Sequence, residues 1–179
     1  MKRLLLFAGL PGVGKSTISR GISKETGATV VDIDDFKKTD VDPDLVAKEI
    51  DPPELRWSYY QKALAYVFGL FDQGTSIVIM DEVFHLGSLR AQLEDFCTKQ
   101  DVRVSWIEVR CPYEIVERRL RSIRREGHIL STEEALRMHL LFEGIFERFP
   151  CCSQNHIVVD NGDEIDTALL TENILKISQ

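Results

Sequence analysis

The sequence predicts an α/β protein whose parallel sheet is covered by helices on both faces. Short apolar runs, typical of buried parallel strands, alternate with longer segments in which apolar residues recur at helical spacing. This alternation favours parallel pairing, because each helix carries the chain back across the sheet. A glycine-rich turn at residues 9–14, between the first strand and the first helix, is the third observation.

Five apolar runs are predicted to be strands. Each is short enough for a strand, and turn or helix signals follow it. The predicted strands cover residues 3–8, 29–34, 76–80, 102–109 and 156–159.

The helices are predicted from apolar spacing and from signals at their ends. Asp51 is the expected N-cap of a helix that has prolines in its first turn, and Ser88 is the expected cap of the next helix. Ser131 and Glu134 have the spacing of a capping box. The predicted helices cover residues 16–26, 42–50, 51–71, a segment beginning at 88, 112–127, 131–149 and 165–177.

Composition limits the class of protein. A chain of 179 residues with 44% hydrophobic and 28% charged residues suits one globular domain, residues 1–179. It has no run of eighteen apolar residues, so no membrane span is expected. The four cysteines lack metal-ligand spacing, which favours reduced thiols and a cytoplasmic location. A net charge of -7 makes a nucleic-acid partner unlikely, because such partners usually require a basic surface. The oligomeric state stays open.

The segment from Gly9 to Thr17 fits the phosphate-binding P-loop pattern. Its glycines allow backbone N–H groups to close around a phosphate, and the following helix points its N-terminus at the anion. Lys15 is expected to neutralise the β- and γ-phosphates of ATP, and the Ser16 hydroxyl to bind Mg²⁺. The predicted nucleotide-binding residues of the loop are Gly9, Pro11, Gly12, Val13, Gly14, Lys15, Ser16 and Thr17.

Acidic residues close the second and third predicted strands. Ligands of open α/β sheets bind beyond the carboxyl ends of the strands, so Asp34 or Asp35 is placed to accept a proton from a substrate hydroxyl. Asp81 ends the third strand as a Walker B acid does and is expected to hold Mg²⁺. Glu82 is an alternative base, as in nucleotide hydrolases that activate water.

Five arginines lie between residues 118 and 125. On a helical wheel, Arg119 falls between apolar residues on the inward side, where an arginine needs an anionic partner such as a nucleotide phosphate. Arg118 and Arg121 fall on the opposite, solvated side. Arg124 precedes a helix break at Gly127 and is predicted to act from a closing lid.

Other aromatic and histidine residues receive simpler interpretations. His85 and His128 are predicted to be loop or surface residues, and His139 to pack or be solvated. Tyr60 lies on an apolar stripe and is assigned to the core, whereas Trp57 and Tyr59 are left open between packing and a stacking platform.

From Leu4 to Pro150 the chain resembles small P-loop kinases of the polynucleotide-kinase-like and zeta-toxin-like group. The resemblance rests on the P-loop, on Asp-x-Asp-x-Phe-Lys at residues 32–37, and on Cys-Pro-Tyr-Glu at residues 111–114 before Arg119. It also includes Ser131 and the Phe-Glu pair at residues 142–143.

The resemblance implies a three-layer P-loop NTPase fold with a five-stranded sheet in the order 2-3-1-4-5 and a helical lid at about residues 119–131. It also implies that Asp34 is the base and that Arg119 contacts ATP phosphates. Two departures matter. Lys37 replaces the arginine that is usual in polynucleotide kinases. The end of the third strand, Met80-Asp81-Glu82-Val83, lacks the Asp-Ala/Thr-Asn motif that is common in the group.

These observations predict an ATP-dependent kinase that transfers the γ-phosphoryl group to a hydroxyl of a small-molecule acceptor. The segment at about residues 36–60 is expected to shape the acceptor pocket. A polynucleotide or tRNA-linked kinase and a regulatory ATPase are the alternatives. A GTPase switch is disfavoured, because the sequence has no guanine-specificity motif of the Asn-Lys-x-Asp type.

Overall fold

A computed structural model describes residues 1–37, 50–122, 131–150, 155–162 and 167–177. Within them, five strands form one parallel sheet in the order β2-β3-β1-β4-β5, which confirms the predicted order. The strands are β1 Lys2–Ala8, β2 Thr29–Asp32, β3 Ile77–Asp81, β4 Val102–Arg110 and β5 His156–Asp160.

The described helices connect these strands and cover both faces of the sheet. They are α1 Lys15–Thr26, α2 Ile33–Lys37, α3 Pro53–Asp72, α4 Gly87–Thr98, α5 Tyr113–Ser122, α6 Thr132–Glu143 and α7 Thr167–Ile177. None of the helices in the described ranges is long and apolar enough to cross a membrane.

The alternation of side chains along β1 divides the core into two layers. Leu5 and Phe7 pack on one face with residues of α1, α5, α6 and α7. Leu4 and Leu6 pack on the other face with residues of α3 and α4. All four side chains are fully buried, so β1 is a continuous apolar run from Leu4 to Ala8, as expected for the centre of a parallel sheet.

The second strand is shorter than predicted. It ends at Asp32, and the chain turns at once into the short helix α2. Asp32 Oδ1 accepts the N–H of Asp34 at 2.9 Å, and this side-chain contact satisfies a backbone donor at the helix start. Asp34 and Asp35 therefore lie in the first turn of a helix and not at the end of a strand.

Two predicted helix caps are wrong. The N-cap of α3 is Pro52, not Asp51; the backbone carbonyl of Asp51 instead accepts the Nε–H of Arg56 at 3.3 Å. Helix α4 begins at Gly87, before Ser88. The Gly87 N–H donates to Glu147 Oε2 at 2.7 Å, so a carboxylate distant in sequence, and not a serine hydroxyl, accepts the first N–H of the helix.

Helix α6 begins as predicted and ends early. The Ser131 hydroxyl accepts the Glu134 N–H, and the Glu134 carboxylate accepts the Ser131 N–H, which confirms the capping box. The helix stops at Glu143, before the predicted end at residue 149. Beyond it, tertiary hydrogen bonds replace helical ones, because the Glu147 N–H donates to the His85 carbonyl at 2.9 Å.

Two predicted segments fall outside the described residues. The short helix predicted at residues 42–50 lies in residues 38–49 except for its last residue, and the part of the predicted lid from residue 123 to 130 is also outside. Arg124 and His128 belong to the second segment.

Candidate active site

The P-loop connects β1 to α1 at the carboxyl edge of the sheet. Gly14 is the N-cap of α1, with a φ of 96° and no side-chain cap, so the first N–H groups of the helix are available to an anion. A Cβ on Gly14 would lie 2.2 Å from Asn161 Nδ2. The loop therefore needs glycine here both for its backbone conformation and for its close approach to the end of β5.

Lys15 lies inside the loop, with its side chain nearly buried. Its Nζ donates to the carbonyls of Gly9 at 2.8 Å and Leu10 at 3.2 Å, and it is 4.0 Å from Asp81 Oδ1. The loop therefore surrounds the Lys15 ammonium group, whose positive charge lies beside the N-terminus of α1.

Ser16 and Asp81, the two predicted metal ligands, are in contact beneath the loop. The Ser16 hydroxyl donates to Asp81 Oδ2 at 2.7 Å. Burial raises the pKa of Asp81 to about 6; Lys15 and the Ser16 hydroxyl oppose this shift, while Asp32 and Asp34 add to it. The carboxyl group is thus a buried acid whose charge needs an additional cation.

The donor set of Ser16 and Asp81 fits Mg²⁺. Both groups are hard oxygen ligands, and Mg²⁺ commonly takes one or two protein oxygens together with phosphates and waters. Among the described residues, no group of three or more His, Cys, Asp or Glu side chains is arranged to hold a metal without such additional ligands. The residues present therefore suit a metal that arrives with a nucleotide.

Two buried side chains that were not predicted as site residues hold the outer side of the P-loop. Asn161 Nδ2 donates to the Val13 carbonyl at 2.7 Å. His139 Nδ1 lies 2.8 Å from the Pro11 carbonyl, which can only accept, so Nδ1 carries the hydrogen. His139 is 1% exposed, so packing is the correct one of its two predicted environments. A lone histidine in a helix and an asparagine after a strand give no sequence signal for these contacts.

Arg119 points inward from α5, whereas the nearby Arg118 and Arg121 point outward. Arg119 is half-buried, whereas Arg118 and Arg121 are exposed, as the helical wheel predicted. Within the part of the chain that the structure describes, however, Arg119 donates to carbonyl oxygens and not to an anion. Its Nη1 donates to the Asn161 carbonyl at 2.8 Å and its Nη2 to the Gly162 carbonyl at 3.5 Å. Neutral carbonyl oxygens thus satisfy the guanidinium beside the loop.

The two candidate bases differ in their surroundings. Asp34 is half exposed, and its Oδ1 lies 3.0 Å from Lys37 Nζ. Asp35, one residue later in α2, is exposed. The register pairs Asp32 with Asp81 across β2 and β3, and Asp34 lies two residues after Asp32, in the first turn of α2. The negative charge of Asp34 is close enough to contribute to the raised pKa of Asp81.

Glu82 is buried, and each of its carboxylate oxygens accepts two hydrogen bonds. Its Oε1 accepts from Arg56 Nη1 at 2.7 Å and Lys37 Nζ at 3.2 Å. Its Oε2 accepts from the Tyr60 hydroxyl at 3.2 Å and from the Phe84 N–H. Burial alone would raise its pKa, but Lys37, Arg56 and these hydrogen bonds lower the pKa well below its usual range. A carboxylate so strongly stabilised in its charged form is a poor base, which argues against the hydrolase alternative.

The sequence of residues 4–143 matches the family described as AAA domain. The chain belongs to this family. No curated protein sequence matches it.

Solved kinase structures share the fold of this AAA domain. A sugar kinase from Janibacter sp. HTCC2649 superposes with a TM-score of 0.70 at 22% identity, over 98% of this chain and 94% of that one. A gluconokinase from Sinorhizobium meliloti 1021 gives 0.64 at 16% identity, over 97% and 90%. The Mycobacterium tuberculosis APS kinase in complex with AMPPNP and APS gives 0.64 at 17%, over 98% and 96%. The chain therefore has a P-loop kinase fold.

The sequence did not identify the residues around Glu82 in this AAA domain. Arg56 is 2% exposed and Lys37 bridges two acids, yet a charged residue in a helix gives no sign of burial. His85 lies in the loop between β3 and α4, which is one of its two predicted positions, but it is buried and not on the surface. Burial and the nearby Arg56 lower the pKa of His85 to about 4. Its Nδ1 has no hydrogen-bond partner among the described residues.

The aromatic residues of α3 belong mainly to the core. Tyr60 is buried as predicted, and Tyr59 is buried as well. Trp57 is partly buried and packs edge-on against Tyr60 and Phe96. These contacts favour packing over the stacking platform that the sequence left open for Trp57 and Tyr59.

Proposed function

We propose that this AAA domain is an ATP-dependent kinase that transfers the γ-phosphoryl group to a hydroxyl of a small-molecule acceptor. The observation that carries the proposal is the meeting of two sets of groups at one edge of the sheet. Lys15, Ser16 and Asp81 lie together at the P-loop, where they would bind phosphate and metal. Asp34 lies in α2, directly after β2, the strand that pairs with β3.

The donor side uses the P-loop. Its backbone N–H groups and the N-terminus of α1 would bind the phosphates of ATP, and Lys15 would exchange its contacts with loop carbonyls for phosphate oxygens. Ser16 and Asp81 would hold Mg²⁺, which supplies positive charge to the β- and γ-phosphates when it is bound. Arg119, with Arg124 from the lid at residues 119–131, would add charge during transfer.

The acceptor side uses Asp34 as the base, with Asp35 as the alternative. The acceptor oxygen attacks the γ-phosphorus, the bond to the β,γ-bridging oxygen breaks, and ADP leaves. The hydroxyl proton passes to the Asp34 carboxylate. Asp34 suits this role because it is half exposed, whereas Glu82 is saturated with donors. Residues 36–60 would form the acceptor pocket within a single domain.

A small acceptor is favoured over a nucleic acid. The chain has a net charge of -7, and Lys37 is committed to two carboxylates. The similar folds of a sugar kinase, a gluconokinase and an APS kinase bound to AMPPNP and APS support an acceptor of small size. Cys97 and Cys111 are free thiols, which is consistent with the cytoplasm as the site of the reaction.

The test is a screen for ADP release with ATP, Mg²⁺ and a panel of small alcohols, sugars and antibiotics. Lys15→Ala is the control; it should keep the fold and lose ~10²–10³ in rate, because charge neutralisation supplies most of phosphoryl-transfer catalysis. We expect one class of small hydroxyl compound to accelerate ADP release and to gain a phosphate by mass spectrometry. Wild-type turnover in folded Lys15→Ala would contradict the proposal.

A second arm separates the small acceptor from the alternatives. Oligonucleotides of DNA and RNA with 5′-hydroxyl ends are titrated at two salt concentrations. Labelled 5′ ends together with binding that weakens steeply as salt rises would identify a polynucleotide kinase. ADP release that no acceptor accelerates, but that Lys15→Ala abolishes, would identify an ATPase.

A further inference from the structure

We infer that Lys37 is a positioning residue that orients the base Asp34 and is itself held in place by Glu82. The inference rests on the proposed function, because it assigns a role to groups behind Asp34. Lys37 Nζ lies 3.0 Å from Asp34 Oδ1 and 3.2 Å from Glu82 Oε1. One ammonium group thus connects the half-exposed carboxylate at the acceptor edge to a buried carboxylate behind it.

The buried end of this connection is fixed from several directions. Arg56 Nη1 and the Tyr60 hydroxyl, both on α3, donate to opposite oxygens of Glu82. The N–H of Phe84 donates to Glu82 Oε2, and Phe84 has a φ of 50°, in the left-handed region that a bulky residue adopts only when its surroundings hold it there. The four donors fill the acceptor positions of the carboxylate, so Glu82 has one orientation.

Arg56 is fixed in turn. Its Nε donates to the Asp51 carbonyl at 3.3 Å, and its guanidinium lies 5.1 Å from the centre of the Phe142 ring on α6. Helices α3 and α6 and the end of β3 therefore hold Glu82 together. Lys37 is held against this assembly, although it lies on a helix of only five residues that would have little stability alone.

Lys37 remains charged while it is shared. Burial favours loss of its proton, but the negative charges of Glu82 and Asp34 raise its pKa above the ordinary value. Lys37 forms ion pairs with both Glu82 and Asp34. Its ammonium group therefore orients Asp34, but Asp34 is not its only counter-ion. Removing Lys37 frees the Asp34 carboxylate to rotate, and removing Glu82 leaves Lys37 to pair with Asp34 alone, which weakens the base.

The experiment uses the full chain, ATP with Mg²⁺, and glycerol as the acceptor, with water as the competing acceptor. Lys37→Met should lower kcat at least tenfold and leave the dissociation constant of ATP, measured by calorimetry, within twofold of wild type. Lys37→Arg keeps the charge and the reach, so it should recover at least a third of wild-type kcat. Lys99→Met is the matched control, because it removes an exposed lysine–carboxylate pair on α4; its kcat should equal that of wild type.

Action through Asp34 is tested by a double-mutant cycle. In the Asp34→Asn background, under single-turnover conditions with γ-labelled ATP, Lys37→Met should change the rate of transfer by less than twofold. Glu82→Gln should show the same pattern, but it leaves Arg56 and Lys37 buried without their carboxylate and puts folding at risk. Lys37→Met leaves the Arg56–Glu82 pair intact and therefore decides the question even where Glu82→Gln does not fold.

Three results would overturn the inference: unchanged kcat in Lys37→Met, an equal loss in the Asp34→Asn background, or a parallel loss of ATP affinity. They differ from failure of the proposed function. If Asp34→Asn is as active as wild type, or if wild-type ADP release is no faster than that of Lys15→Ala, the proposed function fails and the inference with it. If both of those variants are inactive and Lys37→Met is active, the inference alone is wrong.

Discussion

Asp81 and Glu82 are adjacent and both buried, but their carboxyl groups have opposite surroundings. Asp81 faces one hydroxyl and a lysine 4.0 Å away, and burial raises its pKa to about 6. Glu82 contacts two cations and two further donors, and these lower its pKa. The first acid therefore gains most from an additional cation, and the second is already neutralised. This contrast is the reason for proposing Asp81 as a metal ligand and Glu82 as a residue that supports Lys37.

At the residue scale, the choice between Asp34 and Asp35 can be tested directly. Asp34→Asn should slow transfer to the acceptor by about 10²–10⁴-fold and preserve ATP binding, because the carboxylate would contact the hydroxyl and not the nucleotide. Asp35→Asn should keep most of the wild-type rate. Calorimetry with ATP and the ADP-release assay provide the two measurements. Simultaneous loss of binding and transfer in Asp34→Asn would show that Asp34 holds the metal or the fold.

At the scale of the elements, α5 and the end of β5 act on the P-loop together. Arg119 binds the carbonyls of Asn161 and Gly162, and the Asn161 side chain binds the carbonyl of Val13. Arg119 is therefore connected to the loop through Asn161, whose carbonyl it contacts and whose side chain contacts Val13. The same arginine can influence ATP binding by direct contact with phosphate and by holding the β5 end in place.

This arrangement predicts different effects for two adjacent arginines. Arg119→Ala should weaken ATP binding or slow turnover at least tenfold, a loss of about 1.4 kcal/mol. Arg118→Ala, which removes an exposed side chain from the same turn of α5, should be nearly silent. The measurements are ATP affinity by calorimetry and steady-state ADP release. Equal effects of the two substitutions would contradict the assigned orientation of the helix.

At the scale of the whole molecule, His85 predicts how stability depends on pH. Its pKa is about 4 in the folded protein and 6.5 when unperturbed. Between these values the unfolded chain binds a proton that the folded chain does not. The free energy of unfolding therefore falls as pH decreases from about 6.5 to about 4. Above about pH 6.5 the histidine is neutral in both states, and the stability that depends on its neutral form is fully present. Asp81, whose pKa is raised to about 6, has the opposite effect over part of the same range.

A comparison with His85→Phe isolates the histidine, because the Asp81 contribution is common to both proteins. The substituted ring keeps a partner in Phe142, which lies 4.9 Å from His85 between ring centres. Between pH 7 and pH 5, wild type should lose about 2 kcal/mol more stability than the variant. Urea unfolding at the two pH values measures this difference. Parallel losses in the two proteins would show that His85 is not held neutral.

Local patterns in the sequence were sufficient to predict the strands, the P-loop and the fold class. The P-loop and the apolar strands are contiguous, so their residues could be placed without knowing the packing, and the structure brings the two predicted metal ligands, Ser16 and Asp81, into contact. The Arg56–Glu82 pair joins residues 26 apart in sequence, and no local pattern requires their contact. The Ser88 cap failed for the same reason, since Glu147 reaches Gly87 from 60 residues away.

The end of β3 also bears on how enzymes with this arrangement can diversify. Asp81 faces α1, and Glu82 faces α3, because consecutive residues of a strand point to opposite sides of the sheet. Under the proposed function, substitutions on the α3 side would therefore change the choice of acceptor and leave the nucleotide-binding residues on the α1 side unchanged. The same arrangement is intolerant of length variation, since one residue inserted into β3 would exchange the two sides and disable both halves of the reaction at once.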